Sequence, residues 1–272
     1  MVKLYWAEDG GIPPGDRGLA YGDGLFETIR VDNGHAPMQA YHLDRMTQDA
    51  ARLGISITRA ELTAVFHQAL QRYAESHAED SLVLKLTLTR GAGGRGYRPA
   101  PGVQPNILVS YSSLPPLPDC RGVKVDFSRV PLTINPLLAG IKSLNRLEQV
   151  MAALELQGDV FEVLMANASG HIVEGTRTNL FVETSNGWLT PAAGSVAVAG
   201  VMRRYVLERL RAAGEPVKEG PVLPEDLLAE DCLGVYLTNS VLGVVPVRSL
   251  AGQDLPVTGR LATICGYTPT TE

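Results

Sequence analysis

From residue 81 to residue 90 apolar and polar positions largely alternate. Leu82, Leu84, Leu86 and Leu88 fall on one side, with Val83, Lys85, Thr87 and Thr89 on the other. A period of two sends successive side chains to opposite faces, so the pattern predicts a half-buried strand. Asn106–Ser112 predicts its antiparallel neighbour, and Leu25–Val31 predicts an earlier strand that ends at Asp32-Asn33-Gly34, a hairpin turn signal. The spacing then changes. Leu43, Met46, Ala50 and Leu53 recur at helical intervals, and Leu62, Val65, Phe66, Ala69, Leu70 and Tyr73 mark a second helix.

The second half opens with a predicted strand over Val123–Val130 and a helix from about Leu144 to Leu156. Short strands follow at Phe161–Ala166, His171–Glu174, Thr178–Thr184 and Trp188–Leu189, and an amphipathic helix covers Val201–Ala213. Further strands lie around Val235–Thr238 and Val244–Val247. Hairpins outnumber β-helix-β units, which predicts an α+β fold with mixed or mainly antiparallel sheets and flanking helices. Pro115, Pro116 and Pro118 exclude helix and central strand from SLPPLPDCRG. That places a small α+β domain at 1–112, a linker at 113–122 and a larger α+β domain at 123–272.

Composition narrows the partners. The chain has 272 residues, 45% hydrophobic and 19% charged, enough to bury a core and too ordered a mixture for a disordered protein. A net charge of −5 gives no support to nucleic-acid binding. Cys120, Cys232 and Cys265 stand far apart and the five histidines show no metal-ligand spacing, so neither a disulfide framework nor a metal site is expected. No run approaches the roughly 20 apolar residues that span a bilayer, and MVKLYWAEDGG meets acidic residues too early for a signal peptide. A cytoplasmic protein with a small-molecule substrate is the expectation.

Gly91, Gly93 and Gly96 match a dinucleotide-binding spacing directly after a strand. That chemistry needs a helix to begin there, and YRPAPGVQP cannot start one. The glycines then read as a loop that lets backbone come close to something. Arg90, Arg95 and Arg98 punctuate it, either as solvated loop residues or as carboxylate clamps.

Other positions hold chemistry that is ordinary when taken one at a time. Lys142, in LLAGIKSLNRLEQV, lies between an apolar stretch and a helix start, where burial would leave a neutral amine. Glu174 ends a strand-like run in HIVEGTRTNLF. Gly200 opens a helix with no acid in its first turn, an arrangement that suits an anion. Arg45, in HLDR, lies beside an apolar stripe.

Their order is informative. YGDGLFETIR, HLDR, the lysine segment, EGTRTNLF and GVMR together resemble the fold-type IV pyridoxal-phosphate enzymes over about residues 15–250. That family includes branched-chain and D-amino-acid aminotransferases and 4-amino-4-deoxychorismate lyases. LAGIKSLNRLEQVMA and RGAGGRGYRP look like the lyase branch, and Thr28 stands where FEGIR-like aminotransferase segments carry glycine.

The resemblance implies pyridoxal 5'-phosphate as cofactor, carried covalently by Lys142 and facing Glu174 at its ring nitrogen. It implies phosphate contacts from Arg45 and the backbone of Val201 and Met202, with Asn239 and Ser240 at a further phosphate-side turn and Arg146 near the 3-oxygen. Lys142 would be the catalytic base and Thr28 would assist the leaving group or position it. Arg30, Arg90, Arg95 and Arg98 become candidates for the substrate carboxylates, and a homodimer is implied. The rival expectations are an aminotransferase on the same fold and a non-catalytic ligand-binding relative.

Overall fold

The alternating segment at 81–90 becomes a central strand in the first of two units. In the computed structural model, which describes residues 2–74 and 81–266, these units are Met1–Pro115 with Lys142–Asn145, and Pro116–Ile141 with Arg146–Glu272. The first contains β1 (Lys3–Trp6), α1 (Arg17–Tyr21), β2 (Gly24–Val31), α2 (Gln39–Leu53), α3 (Arg59–Ala74), β3 (Leu82–Thr89) and β4 (Asn106–Ser113). Its sheet has the order β1-β4-β3-β2, with β2, β3 and β4 antiparallel and β1 parallel to β4.

Alternation in β2 buries Leu25, Ile29 and Val31, while α2 buries Leu43, Met46 and Ala50 and α3 buries Leu62, Phe66 and Ala69. Each of the larger side chains among these contributes about 1.5–3 kcal/mol relative to exposure, and the alanines less. After β2 the chain turns through Asn33 and Gly34, whose φ values of 48° and 77° are those of a two-residue hairpin turn. One expectation needs correcting. Val83 and Thr89 are buried together with the leucines of β3, and Thr89 is drawn inward because its hydroxyl donates to the buried Asp16.

The second unit contains β5 (Val123–Phe127), α4 (Leu147–Ala153), β6 (Val160–Ala166), β7 (Ile172–Gly175), β8 (Asn179–Thr184) and β9 (Gly187–Thr190). It continues with α5 (Val201–Ala212), β10 (Val217–Glu219), β11 (Cys232–Asn239), β12 (Gly243–Leu250), β13 (Gln253–Asp254) and α6 (Arg260–Cys265). Its mixed sheet runs β10-β9-β8-β11-β12-β5-β6-β7, with β13 added beside β12. Leu132, Ala152, Val163, Met165, Val173 and Val196 form a buried cluster in it.

β5 stops at Phe127, short of the expected Val130, because Glu155 captures the Ser128 hydroxyl and the Arg129 N–H, and Pro131 has no N–H to continue a ladder. The helix expected from Leu144 starts at Leu147, since residues 142–144 run instead along β2. For the same reason Lys142, expected in the larger domain, clusters with the first unit. Among the described residues no helix is long and apolar enough to cross a membrane, and no group of metal-binding side chains forms.

Candidate active site

Lys142 sits on a segment without helix or strand, so its position depends on bonds to neighbours. Phe26 N–H donates to the Lys142 carbonyl at 3.1 Å, and Leu144 N–H donates to Gly24 O at 3.0 Å. These bonds lay the segment against the outer edge of β2. Lys142 Nζ lies 4.2 Å from the centre of the Phe26 ring, within cation–π range. Phe26 and Thr28 share a face of β2 by alternation, so the lysine amine stands on the face that carries Thr28. Lys85, opposite Thr28 on β3, also reaches the Phe26 ring, at 5.3 Å.

The covered face of β2 holds a charged group that the sequence reading missed. Glu27 is buried, and Arg45 Nε donates to its Oε1 at 2.7 Å while a second guanidinium nitrogen donates to Oε2. His42 Nδ1 lies 2.6 Å from the same Oε2. Burial alone would push the Glu27 acid up, but Arg45 and His42 outweigh it and hold the acid at about 2. Burial pushes the His42 imidazolium down despite the opposing pull of Glu27. Glu27 is therefore ionised and His42 neutral near pH 7, which places the imidazole proton on Nδ1. His42 Nε2 remains a buried lone pair with no hydrogen-bond partner among the described residues. One turn beyond Arg45, Asp49 Oδ2 accepts the Lys142 N–H at 3.1 Å. His42, Arg45 and Asp49 form one stripe of α2, a polar and ionisable stripe beside the apolar one, which the apolar periodicity does not reveal.

In the second unit Glu174 is buried on β7, and its Oε2 accepts the Val198 N–H at 3.0 Å. The loop leading to α5 is pinned by Gly140 N–H to Val196 O, by Ala199 N–H to Gly140 O and by Asn179 Nδ2 to Val198 O. α5 then starts after Gly200 with no side-chain cap and no acid in its first turn. A Cβ at Gly200 would lie 2.0 Å from Asn179 Oδ1, so a side chain here would force Asn179 to move. Thr238 pairs with Asn179 across β8 and β11, and its buried hydroxyl has no partner among the described residues. An uncapped helix start and an orphaned hydroxyl on adjacent elements are donors suited to an anion. Asn239 closes a turn by accepting the N–H groups of Val241 and Leu242, with Ser240 inside it. Glu162, also missed from sequence, anchors the EGTRT turn by accepting from the Thr176 N–H and hydroxyl and from the Thr178 hydroxyl.

The family described as amino-transferase class IV matches residues 24–250, from the start of β2 to the end of β12. The chain belongs to the class IV aminotransferase family. It is 35% identical to an aminodeoxychorismate lyase of Vibrio harveyi, over 89% of each chain. It is 31% identical to a putative branched-chain-amino-acid aminotransferase of Methanocaldococcus jannaschii, over 92% of this chain and 86% of that one. The crystal structure of 4-amino-4-deoxychorismate lyase from Pseudomonas aeruginosa superposes with a TM-score of 0.85 at 36% identity, covering 94% of this chain and 93% of that one.

Within this class IV chain the remaining arginines differ sharply. Arg90 donates to Asp23 and to the carbonyls of Leu53 and Gly54 at the end of α2, which ties it to the scaffold. Arg30 donates through Nε to both oxygens of Asp32. Arg95 and Arg98 are exposed on the glycine loop, whose carbonyls at Gly96 and Tyr97 accept from the buried Arg17. No helix follows that loop, as its sequence required. Arg146, the residue before α4, donates to Ile141 O at 2.6 Å in the second unit.

Proposed function

We propose that this chain is an aminodeoxychorismate lyase. It converts 4-amino-4-deoxychorismate to 4-aminobenzoate and pyruvate with pyridoxal 5'-phosphate as cofactor, a step that supplies folate synthesis. The observation that carries lyase over aminotransferase is the hydroxyl of Thr28 on the β2 face where Lys142 Nζ stands. The likeness to two lyases over nearly the whole chain supports it.

The donor set fits the cofactor. The uncapped N–H groups of Val201 and Met202, with Asn239 and Ser240, would hold its phosphate, and Arg45 would be the cationic partner. The buried Thr238 hydroxyl adds a donor there. Glu174 holds the ring nitrogen protonated and Arg146 serves the 3-oxygen. When bound, the cofactor supplies an electron-accepting ring that stabilises negative charge at the carbon bearing the substrate amine.

Lys142 would hold the cofactor covalently, and its Nζ would be free to act as a base once the substrate amine has taken its place. The freed Nζ then removes the proton from C4. The electron pair of that C–H bond completes the aromatic ring as the C3–O bond breaks and the enolpyruvyl group departs, to become pyruvate. Thr28 donates a hydrogen bond to the departing oxygen. Of the four candidate arginines, Arg95 and Arg98 are assigned to the substrate carboxylates, because Arg30 and Arg90 already serve Asp32 and Asp23. The protein is further read as a cytoplasmic homodimer. Leu147, Val150, Met151 and Leu154 support a partner, being exposed at one-face spacing along and just beyond α4.

Purified protein offered aminodeoxychorismate, without any 2-oxo acid, should release pyruvate and 4-aminobenzoate in equal amounts. The second reading, an aminotransferase, is favoured by Glu27, which this chain shares with FEGIR-like segments, and by the Methanocaldococcus relative. Amino transfer to a 2-oxo acid with no 4-aminobenzoate would establish it in place of the lyase.

A further inference from the structure

We infer that Asp49 is a positioning residue for Lys142, fixing the lysine's peptide to the helix that carries Arg45. This inference rests on the reading of Lys142 and Arg45 given above. Three of the bonds among the described residues hold segment 142–144 in the first unit. Two come from the edge of β2 through Gly24 and Phe26, and the third is the Lys142 N–H to Asp49 Oδ2. Asp49 is the only side chain among them. It is 5% exposed, which is costly for a carboxylate that accepts one backbone N–H and lies 3.8 Å from Arg52. A residue chosen for packing alone at this site would be apolar.

The position along the helix supplies the reason. Arg45 and Asp49 are separated by four residues, so α2 presents both on one face. The helix backbone fixes the spacing between the point that grips the lysine and the guanidinium assigned to the cofactor phosphate. Glu27 locks that guanidinium through a two-nitrogen fork. Glu27, Arg45 and Arg52 are the charged groups that act on the Asp49 carboxylate, and the balance among them is dominated by its burial, which pushes its acid up. A group held at a fixed distance in this way meets the tolerance that catalytic constellations require.

The test uses the full chain without added cofactor, then with it. Asp49→Ala should speed hydrogen exchange at the Lys142 amide about tenfold, while exchange in β3 stays unchanged. Asp49→Asn keeps an acceptor oxygen and should stay within about twofold of the parent. With pyridoxal phosphate added, Asp49→Ala should also shift the pH midpoint of the bound cofactor's visible absorbance, a readout that a merely structural role would leave in place. Should Asp49→Ala fail to fold, Asp49→Ser removes the reach with a smaller change and carries the same expectations. Unchanged exchange at Lys142 and an unmoved absorbance midpoint in the alanine or serine variant would overturn the inference. Failure of the underlying reading looks different: borohydride would then attach the cofactor at another lysine in the parent protein, whatever the exchange data show.

Discussion

Two buried carboxylates, Glu27 in the first unit and Glu162 in the second, are held by different partners. In the first, Glu27 is held by a guanidinium and an imidazole, and Asp23 accepts from both Arg17 and Arg90. In the second, Glu174 accepts a backbone N–H, and Glu162 is surrounded by two threonine hydroxyls and peptide N–H groups. At Glu27 the bonded partners include a formal charge, whereas at Glu162 they are hydroxyl and peptide dipoles, with the Arg177 guanidinium 3.9 Å away. The contrast belongs to these groups, since Asp16 in the first unit is held by dipoles and Glu183 in the second by Arg260. Ion-paired groups are fixed in plane and distance but depend on both partners staying charged. Dipole-held groups tolerate loss of charge better, because hydroxyls can both donate and accept. The first unit also carries Lys142, the proposed base, whereas the second carries Glu174 and the uncapped start of α5.

The strongest way to break this comparison is at the amine. Lys142→Ala should lower pyruvate release by at least about 10³-fold, since base and covalent anchor vanish together. Glu174→Gln should retain covalent attachment yet slow turnover by about 10²-fold, read by single-turnover kinetics. If both variants lost attachment equally, the division of roles would not hold.

Stability sharpens the contrast. Glu27→Gln leaves Arg45 buried beside a neutral amide and should cost about 3–5 kcal/mol in urea unfolding. Glu162→Gln should cost only about 1–2 kcal/mol, because its hydroxyl partners can reverse their bonds. Acid gives the same contrast without mutation. The Glu27 acid is held below its ordinary 4.5, at about 2. Its contribution is complete above pH 4.5 and is lost as pH falls through about 2. The stability gap between the parent and Glu27→Gln should therefore hold from pH 6 to pH 4.5 and narrow as pH falls toward 2. The smallest effect is expected from Thr28→Ala, about a tenfold fall in kcat with cofactor binding unchanged.

Much of this arrangement was legible before any coordinates. The alternation in β3 and the apolar repeat in α5 produced elements within a residue or two of those expected, because burial of the periodic apolar positions dictates both. The glycine spacing after β3 lacked a helix for the reason its sequence gave. What was hidden depended on partners distant in sequence. Nothing local says that Arg90 will bind Asp23 and close the end of α2, or that Glu27 will point into the apolar face of β2. Leu144 is expected to open a helix, but its N–H donates to Gly24 O at the edge of β2 and the helix begins at Leu147. Asp49 went unnoticed because an acid four residues after an arginine on a helix usually marks a solvated pair.

The account stands on Lys142 as the residue that takes the cofactor. Loading the protein with pyridoxal phosphate, reducing it with borohydride and mapping the modified peptide among the five lysines tests this directly. The account predicts a single stable adduct at Lys142. An adduct at Lys85 or any other lysine, with Lys142 unmodified, would contradict it.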